Sequence, residues 1–249
     1  KVTYLAILLL VATHQTKAAE KIELLKTDWS FKGLFGKFDR GSLQRGYQVY
    51  TEVCASCHSM KYLSYRNLAE KGGPEFSIEQ AKAIAASFEV TDGPNDDGEM
   101  FQRPGKLSDK FIMPYANIKE AQAANGGAYP PDMSVLAKAR GGGVDYIYSL
   151  LLGYEDPPSG IVLDDGVYYN KYMYGNNIKM SQPLYDGSVE YSDGTEATEE
   201  QMAKDVTTFL MWAAEPHLEA RHQMGFKAIV YLIILTILVY LSMKKIWSR

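Results

Sequence analysis

The chain has 249 residues, 46% hydrophobic and 22% charged, a globular composition that excludes wholesale disorder, and its two cysteines are too few for a disulfide scaffold. The net charge of −4 conceals an asymmetry: residues 1–19 and 224–249 carry six Lys or Arg and no acid, leaving 20 bases against 30 acids between them. A middle with a net charge of −10 argues against nucleic acid as partner and favours a basic protein instead.

Residues 5–12 form a short apolar core, too short to span a bilayer, and Thr16, Ala18 and Ala19 supply small residues for cleavage. This is a signal-peptide pattern over residues 1–19, cut after Ala18 or Ala19, with an uncleaved anchor as the alternative. Next, Leu43, Tyr47, Tyr50 and Cys54 recur at helical spacing and predict one buried helix face. Ser77 with Gln80 makes a capping box before a second helix, and residues 91–105 read as a loop. Asp132 is expected to cap a helix over MSVLAKAR that stops at Gly141-Gly142-Gly143, and VDYIYSLLLG is expected to stop at Gly153. Residues 154–183, rich in Gly, Pro, Asn and Asp, read as a second long loop, and such loops need something inside to organise them. Thr198 with Gln201 is a further capping box, opening a helix through Phe209 and Trp212 that Pro216 is expected to kink.

Residues 228–243 carry no charge, and Met224, Gly225 and Phe226 extend that run, so a transmembrane helix is expected over 224–243. Tyr231, Tyr240 and Trp247 lie near its ends, as interfacial aromatics do. Lys244, Lys245 and Arg249 follow, so the positive-inside rule makes 244–249 a cytoplasmic tail. Residues 20–223 are then an exported domain. The expected architecture is all-α with long loops and one C-terminal transmembrane helix.

The chemistry sits at Cys54-Ala55-Ser56-Cys57-His58. Positions i, i+3 and i+4 share one face of a helical turn. Two thiols there can add to the two vinyl groups of a haem, and the histidine can bind its iron. A thioredoxin-type redox pair would need a βαβ context that is not found, and would not need His58. A zinc site would need two more ligands, but there is no second cysteine pair and His14 lies in the export signal. A disulfide across two residues would constrain almost nothing.

For the other axial position, His217 and His222 sit where the last helix approaches the membrane and read better as polar residues near headgroups. Met60 is too close to His58 to reach the opposite haem face. Among the other methionines, Met180 follows YGNNIK and precedes SQP in a turn-rich strap, and is preferred, with Met113 and Met173 next. Thioether ligation favours ferrous iron, raises the potential and leaves no open position for oxygen chemistry. No Ser, His and acid constellation suggests a nucleophile or a general base.

RGYQVYTEVCASCHSMKYLSYRNL, GAYPPDMSVLAKARGGGVDYIYSLLLGYEDPP, GNNIKMSQP and KDVTTFLMWAAEPHLEARHQMGFK together resemble the cytochrome c1 family. That family supplies the haem subunit of quinol:cytochrome c oxidoreductase, the cytochrome bc1 complex. The resemblance runs over about 28–247 and implies a class I c-type cytochrome-like haem domain. It implies that Cys54 and Cys57 hold one haem c covalently, that His58 is the proximal iron ligand and that Met180 is the distal one. It implies that Arg140 pairs with a haem propionate, that Tyr146 lines the pocket, and that Asn125, Pro130 and Pro131 lie against the haem. A cation at the end of a helix and a core aromatic are the plainer readings of Arg140 and Tyr146. The strap departs from the commonest family form, with Ser181-Gln182 before Pro183 where a second proline is frequent, and no extra cysteine pair clamps the loops.

The resemblance further implies a one-electron carrier that takes electrons from a Rieske iron–sulfur centre and passes them to cytochrome c. It would sit beside cytochrome b and the Rieske protein in a dimeric complex. The haem domain would lie on the periplasmic side of a bacterial inner membrane, or the equivalent intermembrane-space side. Glu89, Asp92, Asp96, Asp97 and Glu99, with Asp164, Asp165, Glu190 and Asp193, are candidates for an acidic face that steers a basic cytochrome c. The alternatives are a tethered monohaem shuttle working outside a bc1 complex, and a haem sensor, for which no output domain is found.

Overall fold

The computed structural model describes residues 22–248; the signal-like segment at 1–19 lies outside them. Helix α1 (Arg40–Val49) opens at Asp39, whose carboxylate accepts the Ser42 N–H at 2.7 Å. It runs directly into a π turn, Tyr50–Cys54, in which the Ala55 N–H reaches the Tyr50 carbonyl at 2.8 Å. The predicted face holds: Leu43, Tyr47 and Tyr50 are buried and Cys54 lies half-buried at its end.

That face packs on α6 (Glu199–Ala214). A Cβ on Gly46 would run into the Asp205 carbonyl and come within 2.8 Å of Phe209 Cβ, so only glycine lets the two backbones meet. Beside the contact, the fully buried Asp205 carboxylate accepts from Ser42 Oγ (2.6 Å), Arg45 Nε (2.8 Å) and Gln201 Nε2 (2.9 Å). Aromatic rings fill the space around it: Tyr47 against Phe209 at 5.7 Å, and Tyr65 stacked on Phe111 at 5.0 Å. Asp205 also alters the predicted cap of α6. Thr198 Oγ1 accepts the Gln201 N–H at 3.2 Å, but the Gln201 side chain goes to Asp205, so only half of the box forms. The other half needs Gln201 Oε1 to accept the Thr198 N–H, whereas the buried carboxylate turns the amide toward itself by accepting from Nε2.

The Ser77–Gln80 box before α2 (Ile78–Ala86) forms in both directions. The stretch expected to be a loop at 91–105 lies largely in a hairpin. Strand β1 (Glu89–Asp92) pairs antiparallel with β2 (Phe101–Pro104), Glu89 opposite Pro104 and Asp92 opposite Phe101. These strands are four residues long and mostly exposed, so they lack the alternation that marks a half-buried strand. Their cross-links are polar: Gln102 Nε2 donates to Thr91 Oγ1 at 2.8 Å, and Arg103 pairs with Asp92.

Helix α3 (Ile118–Ala124) is capped by Asn117, whose Oδ1 accepts the Glu120 N–H at 3.0 Å. The helix expected over MSVLAKAR shrinks to α4 (Leu136–Ala139), because Asp132 is not its cap. Helix α5 (Gly143–Leu151) follows, and α4 and α5 both rest on α6. Residues 154–183 are irregular except for β3 (Tyr168–Tyr169) paired with β4 (Asn177–Ile178). Their organiser is Asn170, fully buried, whose amide donates to the Leu150 carbonyl (2.8 Å) and accepts the Tyr172 N–H (3.0 Å). The N-terminal segment is tied down by Trp29, whose indole donates to Asp145 at 2.6 Å with Lys26 and Lys32 alongside. Burial opposes the Asp145 charge, but these donors outweigh it and hold its carboxyl below the usual range.

Pro216 breaks the last helix rather than kinking it: α6 ends at Ala214 and α7 (Leu218–Trp247) starts afresh. Helix α7 has 30 residues, about 45 Å at 1.5 Å per residue, and begins before the stretch expected from hydropathy. Its most apolar window has mean hydropathy 2.2 and none of it is buried, so it is long and apolar enough to cross a membrane.

Replacing Gly46→Ala should force α1 off α6. We expect a loss of about 1–3 kcal/mol, seen as a melting temperature lower by roughly 3–10 °C. Gly41→Ala, whose Cβ would meet only the ends of the Arg45 and Asp39 side chains, should change little. Equal melting of the two variants would contradict the close contact.

Candidate haem-attachment site

The π turn delivers Cys54 to the start of a tight loop. Both the Cys57 N–H (3.1 Å) and the His58 N–H (2.9 Å) donate to the Cys54 carbonyl, so the motif is a single closed turn rather than a continuing α-helix. The two cysteines are half-exposed and unbonded to each other. Burial of the sulfur pushes the Cys54 thiol up to about 12.

His58 is buried, and its Nδ1 lies 2.8 Å from the Pro131 carbonyl. A carbonyl can only accept, so the proton sits on Nδ1 and Nε2 keeps its lone pair. Burial lowers the imidazole pKa, against the opposing pull of that hydrogen bond, which keeps the ring neutral. A neutral imidazole with one nitrogen fixed by a carbonyl is the form that binds iron. The chemistry of the donors, two unpaired thiols and one oriented imidazole, therefore fits a covalently bound haem.

Pro131 is held in turn by Asp132. That carboxylate accepts from Ser59 Oγ (2.8 Å), the Lys61 N–H (3.0 Å) and the Ser134 N–H (3.0 Å). Burial works against its charge, but these donors prevail and depress its pKa. The Met133 N–H to Ser59 carbonyl bond (2.8 Å) completes the clamp. Asp132, expected to cap a helix, instead fastens the Pro130-Pro131 segment to the attachment turn. Nothing in its sequence neighbourhood distinguishes the two roles.

Met180 is half-buried in the strap that follows β4. Tyr154 donates its hydroxyl to the Met180 carbonyl at 3.1 Å, and the Lys179 ammonium donates to the Gly126 carbonyl at 2.7 Å. Sequence reasoning overlooked both residues. Asn125 donates to the Ala121 carbonyl (2.7 Å) and to Tyr115 Oη (3.0 Å), fixing the loop that Lys179 grips. Residues 125–131 thus touch the Met180 strap at one end and His58 at the other. Tyr146 donates to Met173 Sδ at 3.4 Å, which gives Met173 a partner of its own, while Met113 is exposed.

Arg140 stands apart from these contacts. It lies in a cleft of about 410 Å³ with Lys138, Glu215 and Arg221. Lys138 and Arg221 both pair with Glu215, whereas Arg140 forms no hydrogen bond or ion pair among the described residues.

The model of the Cytochrome C1 family matches residues 29–249. The protein named cytochrome c1 1, heme protein, mitochondrial, of Arabidopsis thaliana is 53% identical over 216 residues, covering 87% of this chain and 69% of its own. Cytochrome c1 of Rhodospirillum rubrum is 46% identical over 242 residues, with 91% and 88% covered. Cytochrome b/c1 of Bradyrhizobium diazoefficiens is 51% identical over 239 residues, 88% of this chain but only 35% of that longer protein. The chain belongs to the cytochrome c1 family, whose members bind haem c covalently.

Proposed function

We propose that the chain is the one-electron carrier of a quinol:cytochrome c oxidoreductase, working beside cytochrome b and taking electrons from a Rieske iron–sulfur centre for delivery to a basic cytochrome c. The observation that carries this reading is His58, buried beside two unpaired cysteines, with Nδ1 committed to Pro131 and Nε2 left for iron. When bound, haem iron supplies one-electron chemistry between its ferrous and ferric states.

In this reading Cys54 and Cys57 anchor the group by thioether bonds. Pro131 fixes the His58 tautomer and Asp132 fixes Pro131. Met180 would supply a second ligand to the iron, supported by its place in a strap pinned by Tyr154 and Lys179. Arg140, with no partner among the described residues, supplies a cation for a propionate, and Tyr146, Asn125 and Pro130, which do not share its cleft, lie against the haem. Helix α7 spans the membrane once, with the haem domain on the periplasmic or intermembrane-space side and the lysine-bearing end opposite.

The acidic face is narrower than composition suggests. Asp92 is engaged by Arg103 and Asp193 by Arg45, so their charges are partly offset, each arginine being shared with a second carboxylate, Asp109 or Asp205. Asp96, Asp97 and Glu99 stay exposed at the tip of the β1–β2 hairpin, where Asn95 Oδ1 accepts the N–H groups of Asp97 (3.0 Å) and Glu99 (2.8 Å). A fixed, exposed cluster of one sign speeds the encounter with a basic partner.

Met180→Leu should leave the haem attached but lower its midpoint potential by on the order of 0.1 V or more, within the ~0.8 V range that axial ligands command. Redox titration of the variant checks this, and an unchanged potential would exclude Met180 as ligand. Second-order reduction of a basic cytochrome c should slow as ionic strength rises, and Asp96→Asn with Asp97→Asn should flatten that dependence. Stopped-flow rates that do not change with salt would contradict the steering role.

A further inference from the structure

Residues 33–37, Gly-Leu-Phe-Gly-Lys, form a turn that the haem chemistry does not use. The Gly36 N–H to Gly33 carbonyl (3.3 Å) and Lys37 N–H to Ser30 carbonyl (3.0 Å) bonds close it, with Gly33 at φ 86°. The turn leaves Leu34 57% and Phe35 69% exposed, a large apolar surface for a water-facing loop. It is nevertheless held in place. The Phe35 ring meets Phe226 of α7 edge-on at 5.6 Å, and the Phe38 N–H donates to Glu219 Oε1 at 2.9 Å. Arg40 clamps the same carboxylate at 2.8 and 2.9 Å. The height of the turn along α7 is therefore fixed, and that height is the start of the charge-free run 228–243, two residues beyond Phe226.

Between the turn and the helix lies a cleft of about 280 Å³, lined by Leu34, Phe35, Phe226, Lys37 and Lys227 among others. Glu219, its carboxylate, is committed to Arg40, so the cleft is left cationic. Apolar rings at the level where hydrocarbon begins, with lysines beside them, are the composition of a membrane interface.

We propose that the 33–37 turn is a second membrane contact: Leu34 and Phe35 insert into the bilayer interface alongside α7, while Lys37 and Lys227 pair with phospholipid phosphates. This rests on reading α7 as membrane-spanning. Phospholipid is the occupant because the patch is continuous, through the Phe35–Phe226 contact, with the unburied apolar surface of α7, and because its cations match a phosphate.

The test is site-specific photocrosslinking of the haem-loaded full chain in its native membranes, where any partner subunit is present. Phe35 is replaced by p-benzoyl-phenylalanine, as in separate variants are Tyr62, an exposed residue of the haem domain, and Leu235 or Ile237 on opposite faces of α7. Phe35 lies outside the core, so the haem spectrum should be unchanged. Mass spectrometry should find phospholipid adducts at position 35 and on at least one face of α7, several-fold above those at 62. A polypeptide adduct at 35, or no lipid adduct there while α7 gives one, overturns the proposal. Absence of lipid adducts on both faces of α7 overturns the membrane reading itself, and the proposal with it.

Discussion

The close approach of α1 to α6 at Gly46 is the constraint on which the site depends. The Cys54–His58 turn is the direct continuation of α1, so whatever fixes α1 fixes the attachment cysteines and the imidazole. Backbone contact alone would let one helix slide or rotate on the other. The buried Asp205 carboxylate removes that freedom, because Ser42 and Arg45 from α1 and Gln201 from α6 converge on it. An ion pair so enclosed specifies geometry more than it adds stability, since the cost of desolvating its charges offsets much of their attraction.

A second constraint is the segment 125–131. It is short and largely irregular, yet it contacts His58 on one side and the residue before Met180 on the other. Its last residue accepts the His58 proton, and its second residue accepts the Lys179 ammonium next to Met180. One stretch of chain therefore sets the relation between two candidate ligands that stand more than a hundred residues apart in sequence. The Asp132 clamp and the Tyr154 hydroxyl extend this arrangement at either end with polar contacts that need no disulfide.

The attachment motif, the buried face of α1, the α2 capping box and the membrane-length helix were legible in the sequence, because each is a local pattern with one physical meaning. The features that were not legible depend on distant partners. Gln201 has the spacing of a capping residue, but Asp205 competes for it. Asp132 has the position of a cap, but Ser59 and Lys61 claim its carboxylate. The β1–β2 hairpin escaped notice because its strands are only four residues long, mostly exposed, and pair through polar side chains. Tyr154 and Lys179 carry no signature at all: a tyrosine and a lysine in a loop acquire a role only when the fold brings a carbonyl within reach.

The chain divides its surface by charge. Exposed carboxylates gather on a hairpin that projects from the haem domain, and cations collect where the domain meets α7 and at the far end of that helix. That division supports the proposed reading, in which one face meets a basic soluble protein and another a membrane. The most direct test of a carrier working beside cytochrome b is a reduced-minus-oxidised visible spectrum of the material that co-purifies with this chain in mild detergent. Bands of both c-type and b-type haem are expected. A c-type band alone, from material shown to be intact, would contradict membership of a bc1 complex.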